Sequence, residues 1–382
     1  MGITKRTEEI GFNIVSRLPG FVRKLIIISA NSLRKLSISN LKTPINLTLY
    51  VTNRCNAQCS HCFYSSELNK PCEELTIEQL KKISISLKHP LQTLMITGGE
   101  PFLRNDLLEI CKLFFKLNKT RRITINTNGM LTDKIVKTTK EILKLNPKNF
   151  HIQVSIDGSK NIHDKMRGVK GCYTKAIETL KKLEELQSKQ HNLNLSIMTT
   201  ICKGNYKGLL SFCKEMSKNH PNVLHKFNFV RGSRMGTFGL PKDITSDLDT
   251  KVEQVPLEEL DKLFYSISKV VSSNKDKVWE KAQRMKWRYS VEMLKSKRKL
   301  FKCLAGYTFG VIYPNGDVTI CEPVKPFANL KDFEYNFYKL WSSDSAKKIK
   351  KMTRNCFCIH PCNLLDSMAY DTKALIHLFE TK

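Results

Sequence analysis

No apolar run in the sequence approaches the ~20 residues that a bilayer-spanning helix needs. Near the start the longest is Leu25-Ile26-Ile27-Ile28, too short and too late after Arg17, Arg23 and Lys24 for a secretory signal. A cytoplasmic chain is the expectation. Cysteine is scarce for a disulfide scaffold, thirteen of 382 residues against the ~8–10% of such folds. Acidic side chains are also few, 35 against 64 basic ones, giving a net charge of +29. That excess suits a nucleic-acid or anionic-membrane partner. Lys outnumbers Arg, however, and is spread along the chain, which reads as compositional bias.

What is present belongs to a globular protein. The chain is 41% hydrophobic and 26% charged, and 382 residues leave room for one large domain and a smaller one. Residues 1–44 form a basic arm in which Leu18, Phe21, Val22, Leu25 and Ile26 recur at helical spacing. The arm either packs across the main domain or lies on a membrane surface, giving peripheral association.

From residue 45 the pattern becomes regular. Residues 46–52 alternate as a strand, and further strands are expected at 91–97, 122–127, 150–156, 193–201 and 224–230. Amphipathic stretches separate them, which implies parallel strand–helix units. Six units are too few for a closed eight-fold barrel, so the expected fold is α/β, a partial TIM-like open (β/α)6 barrel over 45–235. Residues 236–300 read as a linker and a basic helical segment. There Trp279, Trp287 and Tyr289 interleave with Lys281, Arg284, Lys286 and Arg288, which places aromatics either among bases or headgroups or inward on the barrel. Residues 301–382 form a small α+β extension, with a hairpin over 309–321, a helix over 335–352 and a last helix from Leu364.

Chemistry concentrates where the first strand ends. Cys55, Cys59 and Cys62 follow it at C-x3-C-x2-C spacing, on the side where parallel α/β proteins bind ligands. Three thiolates suit an iron–sulfur cluster with one iron left open. Zinc would need a fourth ligand, which His61 or Cys72 can supply. Gly98 and Gly99 allow close approach to the backbone, and Glu100 can accept from an ammonium group. Asp157 can accept from paired ribose hydroxyls with Ser155 beside it, and Arg167 offers a fork to a carboxylate. Taken singly, these are also ordinary strand-end turns and surface polar residues.

Together they resemble the radical S-adenosylmethionine (radical SAM) superfamily over about residues 45–235. The cysteine motif is followed in order by Gly98-Gly99-Glu100-Pro101, Asn126-Thr127-Asn128-Gly129, Ser155-Ile156-Asp157-Gly158 and Asp164-x2-Arg167-Gly168. The resemblance implies a [4Fe–4S] cluster on Cys55, Cys59 and Cys62, and S-adenosylmethionine (SAM) across the strand ends. It implies Gly98, Gly99 and Glu100 at the methionine amino group, Ser155 and Asp157 at ribose or carboxylate, Arg167 at carboxylate and His61 beside adenine. A reductant such as flavodoxin or ferredoxin is implied as partner.

A second cysteine group closes the chain. Cys303 is separated by C-x12-G-x4-C spacing from Cys321, and Cys356, Cys358 and Cys362 follow. This resembles the SPASM and twitch extensions of radical SAM enzymes, with fewer cysteines than the longer form. It implies one auxiliary [4Fe–4S] cluster on Cys303, Cys321, Cys358 and Cys362, with Cys356 as the competing ligand. A zinc ribbon including His360 is the alternative.

Two functions are expected from these readings. The first is a radical enzyme that takes hydrogen from a peptide or a small polar metabolite. The second is a non-catalytic zinc protein that binds nucleic acid or a membrane, which leaves the Gly98–Pro101 and Ser155–Gly158 segments without a role.

Overall fold

The strand that carries the first cysteines to their place, β1 (Asn46–Thr52), has six of its seven residues buried. Polar Thr48 and Thr52 are therefore buried along with Leu47, Leu49 and Val51, as in a sheet covered on both faces. The computed structural model describes residues 15, 17–231, 237–250, 252–271 and 277–380, apart from the side chains of 277–279 and 361–363.

A helix, α1 (Gly20–Ser39), precedes β1, and strands and helices then alternate. They run α2 (Ile77–Ser86), β2 (Thr93–Gly98), α3 (Leu107–Leu117), β3 (Arg122–Thr127), α4 (Thr132–Lys144) and β4 (Phe150–Ser155). Two helices, α5 (Lys160–Arg167) and α6 (Cys172–Gln187), lead to β5 (Leu193–Ile201), and α7 (Leu209–Asn219) leads to β6 (Leu224–Phe229). Each crossover is long enough to return the chain for parallel pairing. Local signals set the helix starts. Thr76 Oγ1 accepts from Gln79 N at 3.3 Å while Gln79 Oε1 accepts from Thr76 N at 2.8 Å, a reciprocal cap on α2.

β1 to β6 lie side by side in chain order, all parallel. Leu47, Leu94, Ile123, Ile152, Leu195 and Phe227, one from each strand, are at most 1% exposed. Burying each such side chain stabilises by roughly 1.5–3 kcal/mol. This is the expected open α/β barrel.

The remainder of the chain extends the same sheet. After the short β7 (Thr237–Phe238) come α8 (Leu257–Val270) and α9 (Lys277–Ser296), then β8 (Phe309–Ile312), β9 (Asp317–Thr319) and β10 (Ala328–Asn329). β8 pairs parallel with β1, Asn46 opposite Phe309 and Leu49 opposite Ile312, so the nine-stranded order is β10-β9-β8-β1-β2-β3-β4-β5-β6. The second cysteine group is thereby tied to the strand that launches the first. On α9, Trp287 is buried, stacked on Phe264 at 5.0 Å and edge-on to Phe227 at 5.5 Å, so this aromatic of the basic helix faces inward.

Two expected single helices are each broken. The stretch over 335–352 divides into α10 (Phe337–Trp341) and α11 (Asp344–Met352), because Ser343 Oγ accepts from Ala346 N and starts a new helix. After β11 (Phe357–Cys358), which pairs with β7, the last stretch divides into α12 (Pro361–Ala369) and α13 (Thr372–Glu380). Asp371 Oδ1, accepting from Ala374 N, starts the second.

Candidate cofactor-binding cavity

At the carboxyl ends of β1 to β6 the sheet opens into a cavity of about 1010 Å³, counted out to its open mouth. Cys55, Cys59, His61, Cys62, Gly98, Gly99, Glu100, Ser155 and Arg167 all border it. Nine of the ten residues expected there are brought to one place.

The cysteine loop is held from three sides. Asn69 Oδ1 accepts from Cys55 N at 2.8 Å and its Nδ2 donates to Cys55 O at 3.1 Å. At the carboxyl end of α5, Arg167 O accepts from Gln58 N at 3.0 Å and Met166 O accepts from Ser60 N at 2.9 Å. The third hold is the glycine pair. Thr52 O accepts from Gly99 N, and Arg54 O accepts from Glu100 N, both at 2.8 Å. A Cβ on Gly98, whose φ is +131°, would lie 2.2 Å from Thr52 O, and one on Gly99 would lie 2.1 Å from Arg54 O. The missing side chains therefore make room first for the base of the cysteine loop, besides baring backbone to the cavity.

Glu100 is 1% exposed. Its Oε1 accepts from Phe102 N at 3.2 Å and Thr127 Oγ1 at 2.9 Å, and its Oε2 accepts from Asn128 N at 2.7 Å. Burial pushes its carboxyl up to about 7, although these donors pull the other way. It stitches the β2 and β3 ends together and still borders the cavity.

Asp157 differs from expectation. It is wholly buried and does not border the cavity. Its Oδ2 accepts from Arg167 Nε at 2.7 Å, and its Oδ1 accepts from Thr200 N at 2.9 Å. Burial raises its carboxyl, but Arg167, His61 and His163 outweigh that and hold it below the usual carboxylate range. Arg167 is the residue that reaches the cavity, with Nη1 3.6 Å from Cys59 Sγ. His61 lies with Nε2 3.6 Å from Asp157 Oδ2, and burial pushes its imidazole down to about 4, so it is neutral.

Sequence reasoning missed the side chains that complete the cavity. Thr97, Asn126, Gln153, Thr200 and Asn228 give it a polar floor from successive strand ends. Gln153 Nε2 donates to Asn126 Oδ1 at 2.9 Å. Arg231, just past β6, ion-pairs with Glu322 and stacks over Phe63 at 4.5 Å. Tyr50 OH also donates to Glu322. Alternation of strand residues could have flagged the floor, but not a pairing across about ninety residues.

The donor set fits an iron–sulfur cluster. Among the described residues no three His, Cys, Asp or Glu side chains converge as one metal ion requires. A cubane spreads its thiolates more widely than a single ion does, and Cys55, Cys59 and Cys62 face one cavity without meeting at a point. Burial pushes the thiols of Cys55 up to about 12 and Cys62 up to about 11. Iron must therefore displace their protons.

In the second group Cys321 is buried, and burial raises its thiol, with Cys303, Cys356 and Cys358 adding to the rise as neighbours. Cys356 is buried beside Cys303 as well. Cys303, Cys356 and Cys358 are therefore all electrostatic neighbours of Cys321. The side chain of Cys362 lies outside the described residues. His360 is buried, its imidazole pushed down to about 3 by burial.

Comparison with known proteins decides the family. Residues 49–213 match the family model described as the radical SAM superfamily. The chain carries a radical SAM domain. Its cofactors are a [4Fe–4S] cluster and SAM. Sporulation killing factor maturation protein SkfB of Bacillus subtilis is 33% identical over 42% of this chain and 37% of its own length. Fe-coproporphyrin III synthase of Methanosarcina barkeri is 30% identical over 46% of this chain and 41% of its own. The matches thus span well under half the length of these relatives. Among solved structures, Streptococcus suis SuiB bound to its precursor peptide SuiA matches with a TM-score of 0.54 at 18% identity. That likeness covers 83% of this chain and 68% of SuiB, and it extends the shared fold past the radical SAM domain into the C-terminal region. No described helix is long and apolar enough to cross a membrane.

Proposed function

We propose that the chain is a radical SAM enzyme that modifies a peptide, with an auxiliary [4Fe–4S] cluster in its C-terminal region. The observation that carries this reading is the shared cavity of three thiols, the Gly98–Glu100 segment and Arg167. Cys55, Cys59 and Cys62 would hold a [4Fe–4S] cluster and the strand ends would hold SAM beside it, a pair that would supply hydrogen-abstracting radical chemistry once an external one-electron reductant such as flavodoxin or ferredoxin is provided.

The protein's own residues bind and orient. Cys55, Cys59 and Cys62 hold the cluster. Gly98, Gly99 and Glu100 receive the ammonium group of SAM, with the carboxylate form of Glu100 favoured once a cation sits beside it. Ser155 faces the ribose. Asp157 acts through others, fixing the Arg167 guanidinium and facing the His61 ring, so that Arg167 meets the SAM carboxylate and His61 lies along the adenine. A neutral, buried His61 suits that contact better than a cation would. Arg231, with Phe63 and Asn228, borders the β6 side of the cavity and receives the substrate.

Cys303, Cys321, Cys356 and Cys358 are the proposed auxiliary ligands, with Cys362 as the competitor. The closeness of Cys303, Cys356 and Cys358 to Cys321 supports this set. The peptide reading is supported by the fold shared with peptide-bound SuiB and by the likeness to a maturation protein. Anaerobically reconstituted protein, reduced and given SAM, should form 5′-deoxyadenosine, and Cys59→Ala should form none. Undiminished formation by that variant overturns the proposal.

A further inference from the structure

The arm before β1 is a helix with two unlike faces. At roughly 100° per residue, Ile27, Asn31 and Ile38 share one side of α1, and all three are buried. That side docks on the C-terminal region. Asn31 Nδ2 donates to Tyr370 O at 3.0 Å and Thr372 Oγ1 at 2.8 Å, and Arg34 stacks over the Tyr370 ring at 4.6 Å. The same spacing puts Phe21, Val22, Leu25, Ile26, Leu33 and Leu36 on the opposite side, away from the protein. Phe21 is 73% exposed, Leu33 70% and Leu36 63%. Such a row on one helix face is far from the scattered apolar residues of an ordinary surface.

Charge identifies what covers it. No Asp or Glu occurs between Glu9 and Glu67. Lys24 and Lys35 fall on one flank of the apolar row, Lys35 Nζ donating to Thr372 Oγ1 at 3.2 Å, and Arg23 falls on the other, with Lys42 beyond the helix end. Lys24 meets Glu380 of α13 at 3.2 Å, a pair half-open to solvent. A second copy of α1 laid on this face would bring two sets of cations together without acids between them. A surface of anionic headgroups matches both the apolar row and its basic flanks.

We propose that α1 is a membrane-surface anchor whose outer face enters the headgroup boundary of an anionic bilayer. The helix lies in the interface and does not span it. Its docked face holds the cavity-bearing body at the surface.

The test is co-sedimentation of the full chain, cluster-loaded, with vesicles of phosphatidylcholine alone or of equimolar phosphatidylcholine and phosphatidylglycerol. Binding to the anionic vesicles should be at least about tenfold tighter, and added salt should weaken it. Leu33→Glu and Leu25→Glu should each weaken anionic-vesicle binding about tenfold or more. Ile85→Glu, at an equally open apolar position on α2, should leave it unchanged. Thermal melts confirm that each variant is folded. Equal sedimentation with neutral and anionic vesicles overturns the proposal, as does no binding at all. A dimer in sedimentation equilibrium that Leu33→Glu dissolves, or anionic binding that appears only after residues 1–14 are removed, also overturns it.

Discussion

Arg167 joins the cysteine loop to a carboxylate buried behind the cavity: its Nε donates to Asp157 Oδ2 at 2.7 Å while its Nη1 lies 3.6 Å from Cys59 Sγ. The guanidinium is therefore fixed by a fully buried carboxylate before any ligand arrives. Arg167→Met leaves that carboxylate buried without its main partner. Unfolding in denaturant should show a loss of about 3–5 kcal/mol at neutral pH. The sign with pH follows from the lowered Asp157 carboxyl. Its contribution is present above the unfolded value of roughly 3.9 and is lost as the pH falls through the lower folded value. The difference between wild type and Arg167→Met should shrink on that acid side.

Glu100 titrates in the opposite sense. Its folded value is raised to about 7, so its contribution to stability is present below the unfolded value of roughly 4.3 and is lost as the pH rises to about 7. Glu100→Gln should flatten stability over that window. It should also weaken SAM binding by about tenfold or more, the loss of one charge-assisted hydrogen bond, read by equilibrium dialysis.

Gly98→Ala and Gly99→Ala separate the two uses of the glycine pair. Each Cβ would overlap backbone, 2.2 Å from Thr52 O and 2.1 Å from Arg54 O, far inside van der Waals contact. The cysteine loop must move, so both variants should lose iron after reconstitution as well as SAM binding. Destabilisation of about 2 kcal/mol or more is expected, larger for Gly98 because its φ is +131°. Normal iron with weakened SAM binding would mean that the ligand alone needs these glycines.

Most of the sheet was legible because the strands obey simple patterns. β1, β3 and β5 have the bounds expected of them, since apolar runs between helices are placed by burial alone. The cysteine spacing and the Gly98–Glu100 segment were legible because they are local. Parallel pairing of β8 with β1 was not, because its partners lie some 260 residues apart and either edge of the sheet was open to them. The breaks at Ser343 and Asp371 were overlooked because single polar caps compete poorly with a continuing amphipathic pattern. Asp157 reads as a ribose ligand from residue type, and only packing reveals that Arg167 and Thr200 have claimed both oxygens.

The C-terminal cysteines give a further test. Cys321→Ser and Cys303→Ser should each remove about half of the iron from reconstituted protein while preserving the cluster near β1. Cys356→Ser and Cys358→Ser should do the same, whereas Cys362→Ser should retain full iron. Loss with Cys362 and retention with Cys356 would restore the ligand set implied by the sequence resemblance.

The most direct measurement is the electron paramagnetic resonance spectrum of the reduced protein before and after SAM is added, in a variant lacking Cys303 and Cys321 so that a single cluster contributes. A reduced [4Fe–4S] signal whose g values shift on adding SAM is expected, and Cys59→Ala should abolish it. No such signal, or one indifferent to SAM, would contradict a cluster held by Cys55, Cys59 and Cys62 with an iron open to ligand.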